Sequence, residues 1–286
     1  MTEINLGLFG AGISRSRAPK LHELAGELCG FKVSYQLFDL NHIGLENFES
    51  ELWSKAAMGF AGVNVTHPIK ERASRLVDVP IKAMQQIGSI NTIRFAETRA
   101  ESKGYNTDYS GFMKAYGKRF GSVSPGKVLI MGAGGVGKAI AFGLAKLDAH
   151  TQIILIDQDI PKALKLAQEL RQAEINCEVH PLDSLAEHVR VDGLINCTPL
   201  GMYQYPGSAI AKELFCGESW GQHWAFDAVY TPIGTEFLNA AKAAGLETLS
   251  GYELFFYQGV DAFEIFTGLQ VDELALRQAL AKLDAP

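Results

Sequence analysis

Short apolar runs alternate with amphipathic stretches over the front third of the chain. Runs bounded by glycine and polar residues are typical of strands, and these include Ile4 to Phe9, Val33 to Phe38 and Gly62 to Val65. Apolar residues at spacings of three and four predict helices from Pro19 to Cys29 and from Leu45 to Lys55. This alternation favours an α/β fold in which helices cover a mostly parallel sheet.

A further pair of strands is predicted before the middle of the chain, at Ser89 to Arg94 and Lys103 to Tyr105. The helical stretch that follows, from about Asp108 to Lys118, leads toward a second domain. We expect the joint between the two domains at Ser122 to Gly126.

The second half of the chain has a clearer pattern. Val128 to Met131 reads as a buried strand, a glycine-rich turn follows it, and Ala139 to Leu147 reads as a helix. The unit then repeats, because the strand Ile153 to Ile156 leads into a helix that has Pro161 in its first turn and ends near Ala173. Two later strands and another helix are expected at Leu194 to Asn196, Ala225 to Tyr230 and Thr235 to Ala244. Together these elements predict a doubly wound, Rossmann-type unit.

Two helical patterns end the chain, Leu254 to Phe266 and Asp272 to Leu283. Both are too apolar on one side to remain unpacked, so we expect them to return to the first domain. A length of 286 residues fits two domains. We expect a first domain of residues 1–107, with 252–286 packed on it, and a nucleotide-binding domain of residues 108–251.

The glycine-rich turn has the spacing Gly-x-Gly-x-x-Gly. Its residues are Gly132, Ala133, Gly134, Gly135, Val136 and Gly137. This spacing lets a strand turn tightly into a helix, so that bare backbone and the helix N-terminus face a pyrophosphate. The turn therefore predicts dinucleotide binding. Because it lies in the middle of the chain, another unit precedes it, and a cofactor site with a partner domain suggests an enzyme.

Asp157 stands at the end of the next predicted strand, where an acidic residue would bind ribose hydroxyls. Its alternative role is a cap on the following helix. A carboxylate in the ribose position repels a 2′-phosphate, and no arginine follows Asp157 before Arg171. The sequence therefore favours NAD as the cofactor over NADP.

Composition excludes several other classes of protein. A net charge of −6 offers no basic face for nucleic acid, and no run approaches the roughly 18 apolar residues of a membrane span. Met1 to Glu3 leads directly into a strand without a secretion signal, so we expect a cytoplasmic protein, either a monomer or a homodimer. No histidine pair has metal-ligand spacing, so no metal is expected. The cysteines form no C-x-x-C pair and should be reduced; they are Cys29, Cys177, Cys197 and Cys216.

Three polar residues of the front domain follow or precede strand-like runs: Lys70, Asn91 and Asp108. Each has a structural alternative, because Lys70 could be an exposed helix lysine, Asn91 a turn residue and Asp108 a helix N-cap. Spacing alone favours these structural roles.

A series of segments, in order along the chain, resembles the motifs of the shikimate and quinate dehydrogenase family. The segments are Gly62 to Lys70 (GVNVTHPIK), Gly88 to Thr92, Gly104 to Asp108, Asn196 to Met202, Asp227 to Pro232 and Gly251 to Gly259. The resemblance implies a nicotinamide-dependent oxidoreductase of aromatic amino acid biosynthesis, and Asp157 indicates that this member uses NAD. Its substrate would be a small hydroxylated ring carboxylate.

The resemblance also implies roles for individual residues. Lys70 and Asp108 would form the acid–base pair beside the hydroxyl that is oxidised, and a positioned lysine with a carboxylate neighbour suits that proton transfer. Side chains implied to contact the substrate are Ser16 at its carboxylate, Asn64, Thr66, Asn91 and Gln258 at its ring hydroxyls, and Tyr230 at its edge. Thr198 and Gly251 would join the glycine turn in binding the cofactor. His67 lies among these motifs and is interpreted as structural.

One segment departs from the family pattern. Where the family has His-Ser-x-Ser-Pro, this chain has Arg15-Ser16-Arg17-Ala18-Pro19, so one hydroxyl is missing and two arginines are present. Either arginine could contact the substrate carboxylate, or both could face solvent. The smaller Ala18 leaves room for the additional hydroxyl of quinate. Shikimate, quinate and an amino-substituted shikimate therefore stay open as substrates, and a metabolite sensor without turnover is the alternative function.

Overall fold

The computed structural model of this chain describes residues 3–217 and 221–283. It divides into two compact units, one of Met1–Thr107 with Gln258–Pro286 and one of Asp108–Tyr257. The second division falls between Tyr257 and Gln258, whereas the sequence placed it before Tyr252. Ser122 to Gly126, the expected joint, lies inside the second unit.

The first unit contains a five-stranded sheet with the order β2-β1-β3-β4-β5. Its strands are β1 (Glu3–Gly10), β2 (Lys32–Asp39), β3 (Gly62–Val65), β4 (Thr92–Arg94) and β5 (Lys103–Tyr105). β1 pairs in parallel with β2 and β3, and β4 is antiparallel to β3 and β5. Four strands thus point one way, which confirms a mostly parallel sheet.

Five helices of this unit connect or flank the strands. They are α1 (Ala18–Leu28), α2 (Leu40–Ile43), α3 (Phe48–Ala57), α4 (Lys70–Ser74) and α5 (Lys82–Ile87). Pro19 in the first turn of α1 fits the absence of a backbone partner there, and Leu21 and Ala25 are fully buried on its inner face. The predicted helix from Leu45 begins as a 3-10 turn, Leu45–Asn47, before α3.

The second unit contains a six-stranded parallel sheet with the order β11-β10-β9-β6-β7-β8. Its strands are β6 (Lys127–Met131), β7 (Gln152–Ile156), β8 (Cys177–Val179), β9 (Gly193–Asn196), β10 (Trp224–Asp227) and β11 (Glu247–Ser250). The strand order reverses at β6, the point where doubly wound sheets bind ligands. β10 ends at Asp227 rather than at Tyr230, because the Asp227 side chain bonds the Val229 N–H and turns the chain.

The remaining helices of the chain are α6 (Thr107–Phe120), α7 (Gly135–Leu147), α8 (Ile160–Gln172), α9 (Leu185–His188), α10 (Glu236–Ala243), α11 (Gly251–Thr267) and α12 (Glu273–Leu283). α7 begins at Gly135, earlier than the expected Ala139, so the glycine turn itself forms its first turn. Alternate residues of β6 and β7, Leu129, Met131, Ile154 and Ile156, belong to a buried core with Phe237 of α10. That core fixes the carboxyl ends of the central strands.

The tail packs on the first unit as expected. α12 contacts α1, and the Cys29 thiol donates to the Gln270 carbonyl. A Cβ on Gly259 would overlap the Leu21 side chain, so the glycine permits close packing of α11 on α1. Within residues 3–217 and 221–283, no helix combines the length and the apolar character that a bilayer crossing requires.

Candidate active site

Strand register brings the motifs of the first unit to one edge of its sheet. Phe9 lies opposite Val65, Asn64 opposite Thr92, and Thr92 opposite Tyr105. Because β4 runs against β3 and β5, its amino end meets their carboxyl ends. The segments after β1, β3 and β5 and the segment before β4 therefore converge.

Asn64, the third residue of β3, is buried and fully bonded to protein groups. Its Oδ1 accepts from the Tyr35 hydroxyl at 2.8 Å, while its Nδ2 donates to the Asn91 carbonyl at 3.1 Å and to Thr92 Oγ1 at 3.0 Å. Both N–H groups are thus used, so Asn64 has no donor left for a ring hydroxyl. The substrate role of Asn64 stays a prediction.

Asn91 directly precedes β4 and holds the segment that follows β5. Its Oδ1 accepts from Thr107 N at 2.7 Å and from the Thr107 hydroxyl at 3.1 Å. Thr107 begins α6 and is followed by Asp108, so the Asn91 oxygen fixes the backbone that carries Asp108. In the described ranges Asn91 Nδ2 has no partner, which leaves a donor for a ligand.

Lys70 is the first residue of α4, and it is half-buried. Its carbonyl accepts from Ile90 N at 3.1 Å, so the backbone at Lys70 is tied to the segment that ends in Asn91. Asp108 is buried and is the first residue of the second unit. The pairing of Lys70 with Asp108 stays a prediction.

Two hydroxyls at this edge keep their protons available. Thr66 Oγ1 has no partner within the described part of the chain, although the Thr66 backbone N–H bonds Phe9. Ser16 Oγ accepts from Ala18 N at 3.2 Å, and its proton has no acceptor among the described residues. Both groups can therefore donate to a ligand. His67 is exposed, and its carbonyl accepts from Ala11 N at 3.0 Å, which ties together the segments after β1 and β3.

Asp39, at the end of β2, holds the loop that carries Ser16, and sequence analysis did not identify it. Its carboxylate accepts from Gly12 N and Asn41 N at 3.0 Å and from Ile13 N at 3.2 Å. These donors, Asn41 first, lower the pKa of Asp39. The sequence shows an acidic residue after an apolar strand, which could have indicated a role for Asp39. The sequence does not show that its partners are the distant N–H groups of Gly12 and Ile13.

The two arginines of the departing segment lie in different surroundings. Arg15 is exposed and forms no ion pair among residues 3–217 and 221–283, whereas Arg17 is half-buried at the N-cap of α1. Ala18 places a methyl group beside the Ser16 hydroxyl, where the family has a second hydroxyl. The loop therefore offers a single hydroxyl and an unpaired guanidinium.

In the second unit, two glycines of the turn are required for different reasons. Gly132 has φ +98°, and a Cβ there would lie 2.8 Å from the Cys197 backbone. At Gly134 a Cβ would meet nothing closer than Lys162 Nζ at 3.7 Å, so the space in front of this residue is open. Gly134 is also the N-cap of α7 and provides no side-chain cap, which leaves the first N–H groups of the helix for another acceptor.

Asp157, directly after β7, holds this turn. Its Oδ2 accepts from Ala133 N at 2.7 Å, and its Oδ1 accepts from Asp159 N at 2.9 Å. A carboxylate has about four accepting positions, so two stay available for ribose hydroxyls. The cap of α8 is Asp159, which accepts from Lys162 N, and not Asp157.

Lys162, in the first turn of α8, lies beside these groups. Its Nζ is 3.8 Å from Asp157 Oδ2, and its side chain is about half exposed. The sequence argument for NAD considered only arginines and missed this lysine. Its position in the turn after Asp157 was the available signal.

Thr198, predicted to bind the cofactor, belongs to the loop after β9. Its N–H and its hydroxyl both donate to Asn196 Oδ1, at 3.0 and 2.7 Å, and the hydroxyl accepts from Leu200 N at 3.2 Å. The hydroxyl therefore has one accepting lone pair left and no free proton. Burial, and next the charge of Asp227, raise the pKa of the Cys197 thiol in the same loop, which keeps that thiol protonated.

Tyr230 lies in the segment that follows β10, and Gly251 packs against the backbone of that same segment. The Tyr230 ring stacks on Phe255 of α11 with centroids 5.0 Å apart and an interplanar angle of 11°. A Cβ on Gly251 would lie 2.5 Å from the Ala228 carbonyl oxygen, so only glycine lets α11 begin this close to β10. Gln258 is half-buried, one turn beyond Leu254 on α11, and belongs to the first unit.

The residues of the second unit fit a dinucleotide. An open backbone cradle at Gly134, the uncapped N-terminus of α7 and the spare acceptors of Asp157 match a pyrophosphate and a ribose in turn.

Comparison with known proteins agrees with this arrangement. Residues 8–93 match the shikimate dehydrogenase substrate binding domain. A shikimate dehydrogenase (NADP⁺) from Pseudarthrobacter chlorophenolicus is 35% identical over 98% of this chain and 95% of that protein. The chain belongs to the shikimate and quinate dehydrogenase family. A quinate/shikimate dehydrogenase (NAD⁺) from Corynebacterium glutamicum strain R is 33% identical over 98% of this chain and 99% of that protein.

The solved structure of quinate dehydrogenase from Corynebacterium glutamicum in complex with NAD superimposes with a TM-score of 0.90 at 32% identity, covering 98% of this chain and all 100% of that one. These likenesses confirm the α/β fold with two domains and the assignment as an enzyme. As a member of the shikimate and quinate dehydrogenase family, the chain is an alcohol-type oxidoreductase that uses a nicotinamide cofactor.

Proposed function

We propose that this enzyme oxidises a ring hydroxyl of shikimate or quinate with NAD, and reduces the corresponding ketone in reverse. The observation that carries the proposal is the convergence of open donors at one sheet edge of the first unit. Thr66 Oγ1 and Asn91 Nδ2 are available there, beside the segments that begin with Lys70 and end with Thr107. A ring with several hydroxyls is recognised by such neutral donors.

In the proposed reaction, Lys70 takes the proton of the substrate hydroxyl as the carbon loses hydride. The oxidised nicotinamide, when bound, supplies the acceptor for that hydride. Asp108 holds and balances the charge that develops on Lys70. Asn91 fixes the backbone at Thr107 and thereby orients Asp108 for this task.

The substrate carboxylate would be held by the loop after β1. Ser16 donates a hydrogen bond from its hydroxyl to the carboxylate. The unpaired guanidinium of Arg15 supplies a charged contact in place of the hydroxyl that the family has at position 18. Ala18 leaves space beside the carboxylate-bearing carbon, which favours quinate relative to relatives that have serine there.

NAD is the proposed cofactor because the Asp157 carboxylate would repel a 2′-phosphate. Lys162 is the competing feature, since its ammonium group lies close enough to Asp157 to offset part of that repulsion. Removing Lys162 by Lys162→Ala should therefore weaken NADP use without harming NAD use.

The testing experiment is a grid of specificity constants for shikimate, quinate and an amino-substituted shikimate, each with NAD and NADP. Sustained NADH formation with shikimate or quinate would exclude a sensor without turnover. A preference for NADP of about tenfold, equivalent to ~1.4 kcal/mol, would contradict the argument from Asp157. Turnover of the amino-substituted ring alone would move the substrate assignment to that class.

A further inference from the structure

Asp227 is a buried carboxyl group at the end of β10 that the proposed reaction does not use. Its side chain is completely shielded from solvent. Its Oδ1 accepts from Asn196 Nδ2 at 2.9 Å and from Val229 N at 3.0 Å, and its Oδ2 accepts from Thr235 Oγ1 at 2.5 Å. Burial raises the pKa of this carboxyl to about 6, so keeping it charged at neutral pH is costly. A buried carboxyl group with a strongly shifted pKa is a candidate for a functional role.

The first bond determines how the Asn196 amide is oriented. Its Nδ2 donates to Asp227 Oδ1 and to the Leu200 carbonyl, while its Oδ1 accepts twice from Thr198. Rotating the amide by half a turn would place its oxygen against two acceptors and its N–H groups against the Thr198 N–H. Asp227 therefore selects the orientation that holds Thr198.

The second bond fixes the chain on the other side of β10. Asp227 Oδ1 receives the Val229 N–H, and the next residue is Tyr230, whose ring stacks on Phe255. The Val229 carbonyl oxygen lies against Gly251, because a Cβ on Gly251 would be only 2.6 Å from it. One carboxylate oxygen thus joins the loop of Thr198 to the segment of Tyr230 and Gly251.

The third bond anchors the carboxyl group itself. Thr235 is the N-cap of α10, where its Oγ1 accepts from Leu238 N at 3.2 Å and donates its proton to Asp227 Oδ2. The helix cap therefore holds Asp227, and Asp227 holds two segments on the side of β6 opposite to β7 and Asp157, which contact or contain Thr198 and Gly251, the residues predicted to bind the cofactor.

We propose that Asp227 is a positioning residue, which sets the Asn196–Thr198 loop and the Val229–Tyr230 segment to bind the nicotinamide half of the dinucleotide. This inference rests on the proposed function, because it takes the bound dinucleotide from there and the cofactor roles of Thr198 and Gly251 from the family resemblance. The adenosine half is held independently, by the glycine turn and Asp157.

The test is equilibrium binding to the full-length variant Asp227→Asn, which keeps the shape of the side chain but leaves a single accepting oxygen for the three donors of Asn196, Val229 and Thr235. NADH should bind about tenfold more weakly, while ADP-ribose, which lacks nicotinamide, should bind within about twofold of wild type. Equal weakening of both ligands, or of neither, would overturn the proposal.

Two variants of Thr235 and one control variant keep the test decisive. Thr235→Val removes the hydroxyl that anchors Asp227 and should weaken NADH binding in the same direction by about threefold, and Thr235→Ser should restore it. The matched control is Asp192→Asn, since Asp192 also bonds backbone in this unit, accepting from Lys127 N at 2.6 Å at the opposite end of β6. That control should leave the ratio of the two binding constants unchanged, and a similar change in ratio there would count against Asp227.

Failure of the proposed function would look different. If shikimate and quinate are not oxidised by wild type, the substrate assignment falls, but NADH and ADP-ribose still report on Asp227. If turnover is normal and Asp227→Asn leaves the two binding constants in their original ratio, only the role of Asp227 falls.

Discussion

Each unit of the molecule has a buried polar network at the carboxyl end of a strand, and the two are built from opposite chemistry. In the first unit, a neutral His22 stacks on Tyr35, and Tyr35 bonds Asn64. In the second unit, Asp227 binds Asn196 and Thr235. One network is held by an aromatic base without charge, the other by an acid that ionises near neutral pH.

The difference has a consequence for function. Beside the first network, the Thr66 and Ser16 hydroxyls are available to donate hydrogen bonds to a ligand. Beside the second network, the Thr198 hydroxyl already donates its hydrogen bond to Asn196. A substrate with several hydroxyls needs available donors, while a cofactor held by backbone needs a loop with one fixed shape. If Thr66 and Ser16 bind the substrate and Thr198 binds the cofactor as proposed, the first network would serve recognition and the second would serve rigidity.

Lys70→Ala should give the largest difference between the functions of the two units, substrate turnover and NADH binding. Without its general base, the enzyme should lose turnover by roughly 100-fold to 10,000-fold, while NADH binding stays within twofold because the second unit is untouched. Steady-state kinetics and NADH titration of the same preparation measure both. Turnover within a few-fold of wild type would refute the assignment of Lys70 as the base.

His22 should make the first unit sensitive to acid. Burial lowers the pKa of His22 to about 3, although its hydrogen bond to Asn64 opposes the shift. Because the unfolded chain takes up this proton at a higher pH, stability is lost as pH falls below about 6.5, by about 3 kcal/mol at pH 4. Urea unfolding from pH 4 to 8 should show this slope in wild type and lose it in His22→Phe. A variant with an undiminished slope would contradict the assignment.

Asp227 should produce the reverse slope in the second unit. Its folded pKa of about 6 lies above the usual 3.8, so its contribution favours folding in acid and is lost as pH rises from 3.8 to 6. Relative to wild type, Asp227→Asn should gain about 2 to 3 kcal/mol between pH 4 and pH 7. Urea unfolding at the two pH values measures this gain, and a constant difference would mean that Asp227 does not titrate in this range.

Tyr35→Phe should affect the first network alone. It removes the donor to Asn64 Oδ1, which costs about 1 to 2 kcal/mol of stability and loosens Asn64. We expect the KM for the ring acid to rise several-fold, by roughly the factor that one lost hydrogen bond gives, with NADH binding unchanged. Weaker NADH binding in this variant would show that the two networks are not independent.

Ala18→Ser should produce the smallest change. The added hydroxyl restores the family pattern beside Ser16 and fills the space proposed for the additional hydroxyl of quinate. The ratio of specificity constants should move toward shikimate by about threefold, below 1 kcal/mol. A shift toward quinate would contradict the proposed role of Ala18.

Local pattern predicted most of the fold, because strands such as Gly62–Val65 and the helix that follows the glycine turn are determined by nearby residues. The elements it missed are short. β8 and β11 are the two edge strands of the six-stranded sheet, and exposed residues such as Glu178 and Glu247 interrupt the apolar run that marks a buried strand.

The site was predictable where a motif is contiguous and was missed where a contact is distant. Asp227 lay inside a recognised segment, but its bond to Asn196 spans 31 positions, and the Tyr35–Asn64 bond spans 29. His22 drew no notice because a histidine in a helix has no pattern that reveals burial. Pairing over such separations depends on sheet order, which the sequence does not state locally.

The first unit is discontinuous in the chain, and this has a consequence for how the protein is made. Phe266 packs against Gly62, Gly259 against Leu21, and α12 against α1, so the tail completes the core around β3 and α1. A ribosome must therefore produce the whole of Asp108–Tyr257 before that core can close, a delay on the order of ten seconds. The nucleotide-binding unit can fold during this interval. The apolar surface around β3 and α1 stays uncovered until the tail is synthesised, and chaperones or neighbouring nascent chains can bind it.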